Sequence, residues 1–278
     1  MEQATAKKSD NQDFPTLPYI AHEILLAVND PNSHVTGIAK IINNEPSLTA
    51  RIIATANSAF FTGQRTVYSI DDAIVRLGLQ RVRIMAASML LADSFDLSKC
   101  PEFKTDLYWK TAIQTSTASG KIADLSKQYS ADIASLAGLL HNIGSLLLAH
   151  TFPEQMTEVI IQYEKLNREN SLIIFLEQKI IGLDHNAAGK TLLTEWQLPE
   201  EVIEVAANIN NPNYNGEYQN LIELIRFSNT WAESEFSTLP KLPLPEGIDM
   251  FKIDRIGQQC IKESENIEAL ASLLAREN

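Results

Sequence analysis

With 278 residues, 45% of them hydrophobic and 21% charged, the chain can bury a full globular core, which excludes a disordered or fibrous protein. A formal net charge of −12 argues against a general grip on duplex nucleic acid, which needs a cationic surface. The excess is uneven: residues 1–100 hold 9 Lys and Arg against 10 Asp and Glu, whereas residues 101–278 hold 14 against 25.

The polar start, residues 1–13, reads as a flexible segment and leads into no apolar stretch of the kind a signal peptide needs. Ile20 to Asn29 and Val35 to Ile42 show helical periodicity, stopped by Asp30-Pro31 and Asn43-Asn44. A third helix opens on Pro46, and Asn57 to Gln64 follows as a loop. Ser69-Ile70-Asp71-Asp72 has the form of a capping box, Gly78 is the expected stop, and Val82 to Phe95 continues as a long apolar helix. A helix from about Asp106 to Tyr129 carries small residues along one face. Ser130 is placed to cap the next, which contains Gly138-Leu-Leu-His141-Asn142-Ile-Gly144.

Further helices are read at about Glu154 to Asn167, Ser171 to Gly182, His185 to Trp196, Glu200 to Asn208 and Tyr218 to Ser234. The proline-containing stretch Leu239 to Pro245 is a connection, and a terminal pair, Ile253 to Glu263 and Ile267 to Arg276, closes the chain. Strand-like alternation is nearly absent, so the expected fold is all-α. Leu139 to Ala149 is read as the most apolar stretch, interrupted by His141, Asn142 and Gly144, and no run is read as a membrane span. The expected location is cytoplasmic.

Cys100 and Cys260 belong to no CxxC pair, and no Gly-rich phosphate loop, G-x-S-x-G elbow or H-E-x-x-H is present. Histidines remain as leads. His22, His34 and His150 sit in polar or helix-terminal contexts. His141 lies in apolar sequence between Gly138 and Gly144, whose small size clears space around its ring.

Several blocks in order resemble the HDOD domain: Leu17-Pro18, Glu45-Pro46-Ser47-Leu48-Thr49-Ala50-Arg51, Ala56 to Phe61, Ser69-Ile70 through Leu77-Gly78-Leu79, Tyr108-Trp109, Gly138 to Gly144, Asp184-His185 with Gly189, and Trp196 with Leu198-Pro199-Glu200. The resemblance implies two fused helical lobes, residues 14–105 and 106–235, the second similar to the HD superfamily of metal-dependent phosphohydrolases. Residues 236–278 would then be a connection and terminal helices that pack back. It also implies a bacterial signalling role.

The HD superfamily holds a divalent metal with a pattern H…HD…D, and here Thr111, His141, Asn142 and Asn229 stand at those places. His185 matches a further family histidine that can add to a second metal. Asp184-His185 also reads as a helix start with Asp184 as its cap, and that reading is preferred. Amide oxygens are weaker, uncharged donors, so no metal or other cofactor is expected, and Asn142 and Asn229 are expected to bond each other or His141.

The expectation is therefore a non-catalytic regulatory module with a vestigial pocket at Thr111, His141, Asn142, His185 and Asn229. Its input would come from a separate molecule: a signalling protein partner, or a nucleotide or phosphate ligand. The alternatives are a divalent-metal phosphohydrolase acting on a nucleotide or cyclic nucleotide, and a nucleotide receptor that keeps the pocket without the metal. The near-neutral first lobe places the expected docking surface at Arg81, Arg83 and the loop residues Asn57, Phe60 and Phe61.

Overall fold

The computed structural model describes residues 15–26, 35–58, 61, 66–166 and 170–276. Among them every regular element is helical. The N-terminal helices, for which the label first lobe is kept, are α1 (Tyr19–Leu26), α2 (Val35–Asn43), α3 (Pro46–Ala56), α4 (Ile70–Leu77) and α5 (Leu79–Ala92). The Ser69 hydroxyl accepts the Asp72 backbone N–H at 3.0 Å, the Asp72 carboxylate accepts the Tyr68 N–H, and Gly78 ends α4 at φ 86°, as the sequence predicts.

The second lobe runs through α6 (Thr105–Ser126), α7 (Ala131–Leu140), α8 (Ile143–Thr151), α9 (Pro153–Lys165), α10 (Asn170–Ile180), α11 (His185–Glu195), α12 (Glu200–Asn208) and α13 (Gln219–Glu233). Apolar side chains of both lobes join one continuous core. Helix α6 is its spine, packed against α7, α13 and the terminal helix. The indole N–H of Trp196 donates to the Pro15 carbonyl at 3.0 Å, pinning the start of the described chain to the second lobe.

Two expectations about helices are corrected. The terminal pair is one helix, α14 (Met250–Arg276). The polar stretch Glu263 to Asn266 contains no glycine or proline, and the Ser264 hydroxyl bonds back to the Cys260 carbonyl, so the ladder continues. His141 does not lie within a helix: α7 ends before it and α8 begins after Asn142. The 131–151 stretch has the apolarity of a membrane span, but it is interrupted at this break, and 89% of its most apolar window is buried inside the protein.

Candidate functional site

The break between α7 and α8 builds the site. Gly138 lets α7 approach α6 so closely that a Cβ there would meet the Ser116 Cα at 2.9 Å. His141 follows as the C-cap of α7, with Nδ1 2.7 Å from the Gly138 carbonyl oxygen. That oxygen only accepts, so Nδ1 carries the proton and Nε2 is left as the acceptor. The ring is 6% exposed. Burial drives its pKa down to about 4, against opposing bonds from Gly138 and Asn229, and a nearby His185 adds to the lowering. At neutral pH the ring is uncharged.

Asn229 reaches the ring from α13. Its Oδ1 accepts from the Thr115 hydroxyl of α6 at 3.3 Å, and its Nδ2 donates to Glu233 Oε1 at 3.0 Å. Loss of solvent raises the Glu233 carboxyl pKa, and the Asn229 bond offsets part of that rise. Thr111 is half-buried one turn before Thr115, and it is the Thr115 hydroxyl that bonds Asn229. Asn142 turns away to its own helix, accepting from the Ser145 hydroxyl at 2.6 Å. Asn229 thus stands beside His141 with its own bonds going to Thr115 and Glu233, while Asn142 is bonded to Ser145.

His185 borders this cluster. Gly144 of α8 permits the approach, because a Cβ there would lie 1.9 Å from the His185 carbonyl oxygen. Asp184 caps α11, accepting from the Ala187 N–H at 2.9 Å. Glu177 of α10 is fully buried, and its Oε2 accepts both the His185 backbone N–H at 2.9 Å and Nδ1–H at 2.6 Å. Nε2 of His185 then accepts from the Asn210 amide at 2.8 Å. The loop carrying Asn210 is held by Arg226 of α13, whose guanidinium donates to the carbonyls of Ile209 and Asn211 at 2.9 and 3.0 Å. One helix therefore positions both halves of the site: Arg226 sets the partner of His185, and Asn229 meets His141.

The donor set does not fit an HD-type metal. His141 offers one ligand-ready nitrogen, with Nδ1 fixed by a carbonyl as a metal-bound imidazole would have it. Its neighbours Asn229 and Thr115 are neutral, and both nitrogens of His185 are engaged. Among the described residues no three His, Cys, Asp or Glu side chains converge as a metal cage.

The residues expected to dock a partner do not form one open patch. Arg83 is 7% exposed, with Nη1 2.9 Å from Asp132 Oδ1. Arg81 pairs with Glu263 of α14 at 2.8 Å. Phe61 is buried in the first lobe, and the Asn57 amide holds the Val67 backbone through two 2.8 Å bonds. Buried aliphatic surface and available carboxylates outcompete exposure for these side chains. Phe60 lies outside the described residues, as does the expected 1–13 segment.

Thr115, Glu177 and Arg226 also shape the site, and no sequence motif marks them. A signal exists for Glu177, a carboxylate that directly follows the apolar run Leu172 to Leu176. Thr115 and Arg226 carry no local signal, since only packing brings α6, α12 and α13 together.

The HDOD domain family matches residues 14–212. The chain is 26% identical over 226 residues to an uncharacterized protein of Treponema pallidum (strain Nichols), covering 78% of this chain and 42% of that one. Its fold is similar to that of a Marinobacter aquaeolei VT8 chain named "Putative signal transduction protein" (TM-score 0.78, 24% identity, 94% of this chain and 60% of that one). It also resembles a Shewanella amazonensis SB2B chain named "Putative phosphohydrolase" (TM-score 0.70, 21% identity, 94% of each chain). An HDOD domain protein from Geobacter sulfurreducens shares the fold as well (TM-score 0.66, 19% identity, 95% of this chain and 90% of that one). This chain thus spans about two fifths of the curated relative it matches. The match over most of the sequence, together with the all-helical architecture, places the chain in the HDOD domain family.

Proposed function

We propose that this chain is a non-catalytic signal-transduction module that works by binding, with the pocket of an HD phosphohydrolase retained as a neutral polar cluster. The observation that supports it is the surroundings of the uncharged His141 ring, where Asn229 and Thr115, bonded to each other, bring no charge. A hydrolase of this class must hold a dication and generate a hydroxide from bound water. An amide and a hydroxyl supply neither the anionic charge nor a base for that task. Such a module is cytoplasmic and bacterial on this reading, and takes its signal from a protein partner or a small ligand. The name of the Marinobacter chain points the same way, and that of the Shewanella chain the other.

Thermal unfolding with Mn2+ tests the reading. The wild-type protein, stripped with chelator, is expected to keep its Tm in excess Mn2+. The double variant Asn142→Asp/Asn229→Asp is expected to gain stability, by about 2.7 kcal/mol at one hundred times its Kd. Stabilisation of the wild type by stoichiometric metal, or phosphodiester turnover that disappears in His141→Ala, overturns it.

A further inference from the structure

Between the lobes, on the side of α7 that faces α1 and α5, lies a second cleft lined by Arg83. It holds about 310 Å³ of free space, its open mouth included. Its walls include Leu25 of α1 and Leu136 and Leu139 of α7, all buried aliphatic side chains.

The guanidinium in this cleft is under-served. Its Nη1 lies 2.9 Å from Asp132 Oδ1, yet neither Nη1 nor Nε donates an aligned hydrogen bond among the described residues. The Arg83 side chain is 8% exposed and that of Asp132 is 40% exposed. Arginine stays charged at any physiological pH, so its buried donors call for an acceptor. Asp132, in the first turn of α7, can turn to water and still face the helix N-terminus. A planar two-oxygen group suits the Nε and Nη edge of a guanidinium. One cation beside a carboxylate disfavours a dianion.

We propose that this cleft binds a small monocarboxylate with an aliphatic tail. The carboxylate takes the Arg83 fork in place of Asp132, and the tail lies along Leu25, Leu136 and Leu139. The site bridges the lobes, since Arg83 belongs to the first and Leu136 to the second. Neither His141 nor Asn229 lines it, and it does not depend on the function proposed above.

Isothermal titration of the full chain at constant ionic strength, with sodium acetate, butyrate, hexanoate and phosphate as probes, tests this. Saturable binding of hexanoate is expected, strengthening about fourfold per added methylene along the series. Asp132→Asn, which removes the competitor, is expected to tighten hexanoate about fivefold, and Arg83→Met to abolish it. Should Arg83→Met not fold, NMR of the wild type decides, since the Arg83 Nε–H resonance must shift as hexanoate saturates. Absence of saturable hexanoate binding, as a resident water on Arg83 would give, overturns the proposal. So do phosphate binding as tight as hexanoate, affinity unchanged in Asp132→Asn, or an unmoved Nε–H resonance.

Discussion

Asn229 of α13 stands beside the buried ring of His141, so neutral groups occupy the place where the HD pattern would set an imidazole and a carboxylate around a cation. The neutrality of the ring has a consequence for stability. The folded ring has a pKa of about 4, below the ordinary 6.5 that it regains on unfolding. Between those values the unfolded chain takes up the proton and the folded chain resists it. Stability is therefore complete above about pH 6.5 and falls as the pH drops towards 4, by about 2 kcal/mol at pH 4.5 from this residue. Urea unfolding at pH 7.5 and 4.5 checks this: His141→Gln should shrink the difference between the two by about that amount. An equal difference in both proteins would show that His141 titrates normally.

Gly144 makes a prediction about backbone contact. An added methyl would meet the His185 carbonyl at 1.9 Å and the Gly189 nitrogen at 2.6 Å, both parts of α11 that cannot move without carrying His185 away. Gly144→Ala should destabilise by about 3 kcal/mol or more, near the upper end for overpacking. Gly37, in α2, has nothing within 4 Å of its Cβ position. Gly37→Ala should instead stabilise by about 0.5–1 kcal/mol. Chemical denaturation of the two variants side by side reads both signs.

What was legible in the sequence follows from range. The Ser69 box, the Gly78 stop, the Ser130 and Asp184 caps and the buried His141 are local patterns, and each appears where the residues place it. The α7–α8 break is hidden because apolar residues flank His141-Asn142 on both sides, and helical periodicity continues across a two-residue interruption. The engagement of Arg83 with Asp132, 49 positions away, and of Thr115 with Asn229 depends on which helices pack together, which periodicity does not encode.

Glu177 is the carboxylate whose removal should matter most. It is fully buried, and one of its oxygens accepts two donors from His185. Glu177→Leu leaves the His185 N–H and Nδ1–H without partners and should cost about 3–5 kcal/mol. Glu177→Gln keeps an acceptor but places an amide N–H₂ where the unbonded Oε1 now sits, costing about 1–3 kcal/mol. Equilibrium unfolding should rank them in that order. Equal losses would mean that side-chain volume, not the acceptor, is what Glu177 supplies.

Glu263 joins three helices through one oxygen. Its Oε1 lies 2.8 Å from Arg81 Nη2 of α5 and 3.2 Å from Lys121 Nζ of α6, so the terminal helix is tied to both lobes at a single point. The three side chains are partly exposed, between 18% and 35%, so screening by salt should reach them. A shared carboxylate between two cations also relieves the repulsion that Arg81 and Lys121 would otherwise feel, which makes its loss larger than that of one surface pair. Glu263→Gln should therefore destabilise by about 1–2 kcal/mol at low ionic strength and by about half as much in 1 M NaCl. The discriminating measurement is a double-mutant cycle with Arg81→Met, run at both salt concentrations. If the clamp is electrostatic, the coupling energy is positive in low salt and shrinks in high salt. A coupling of zero, or one indifferent to salt, would mean that α14 is held by its apolar face alone.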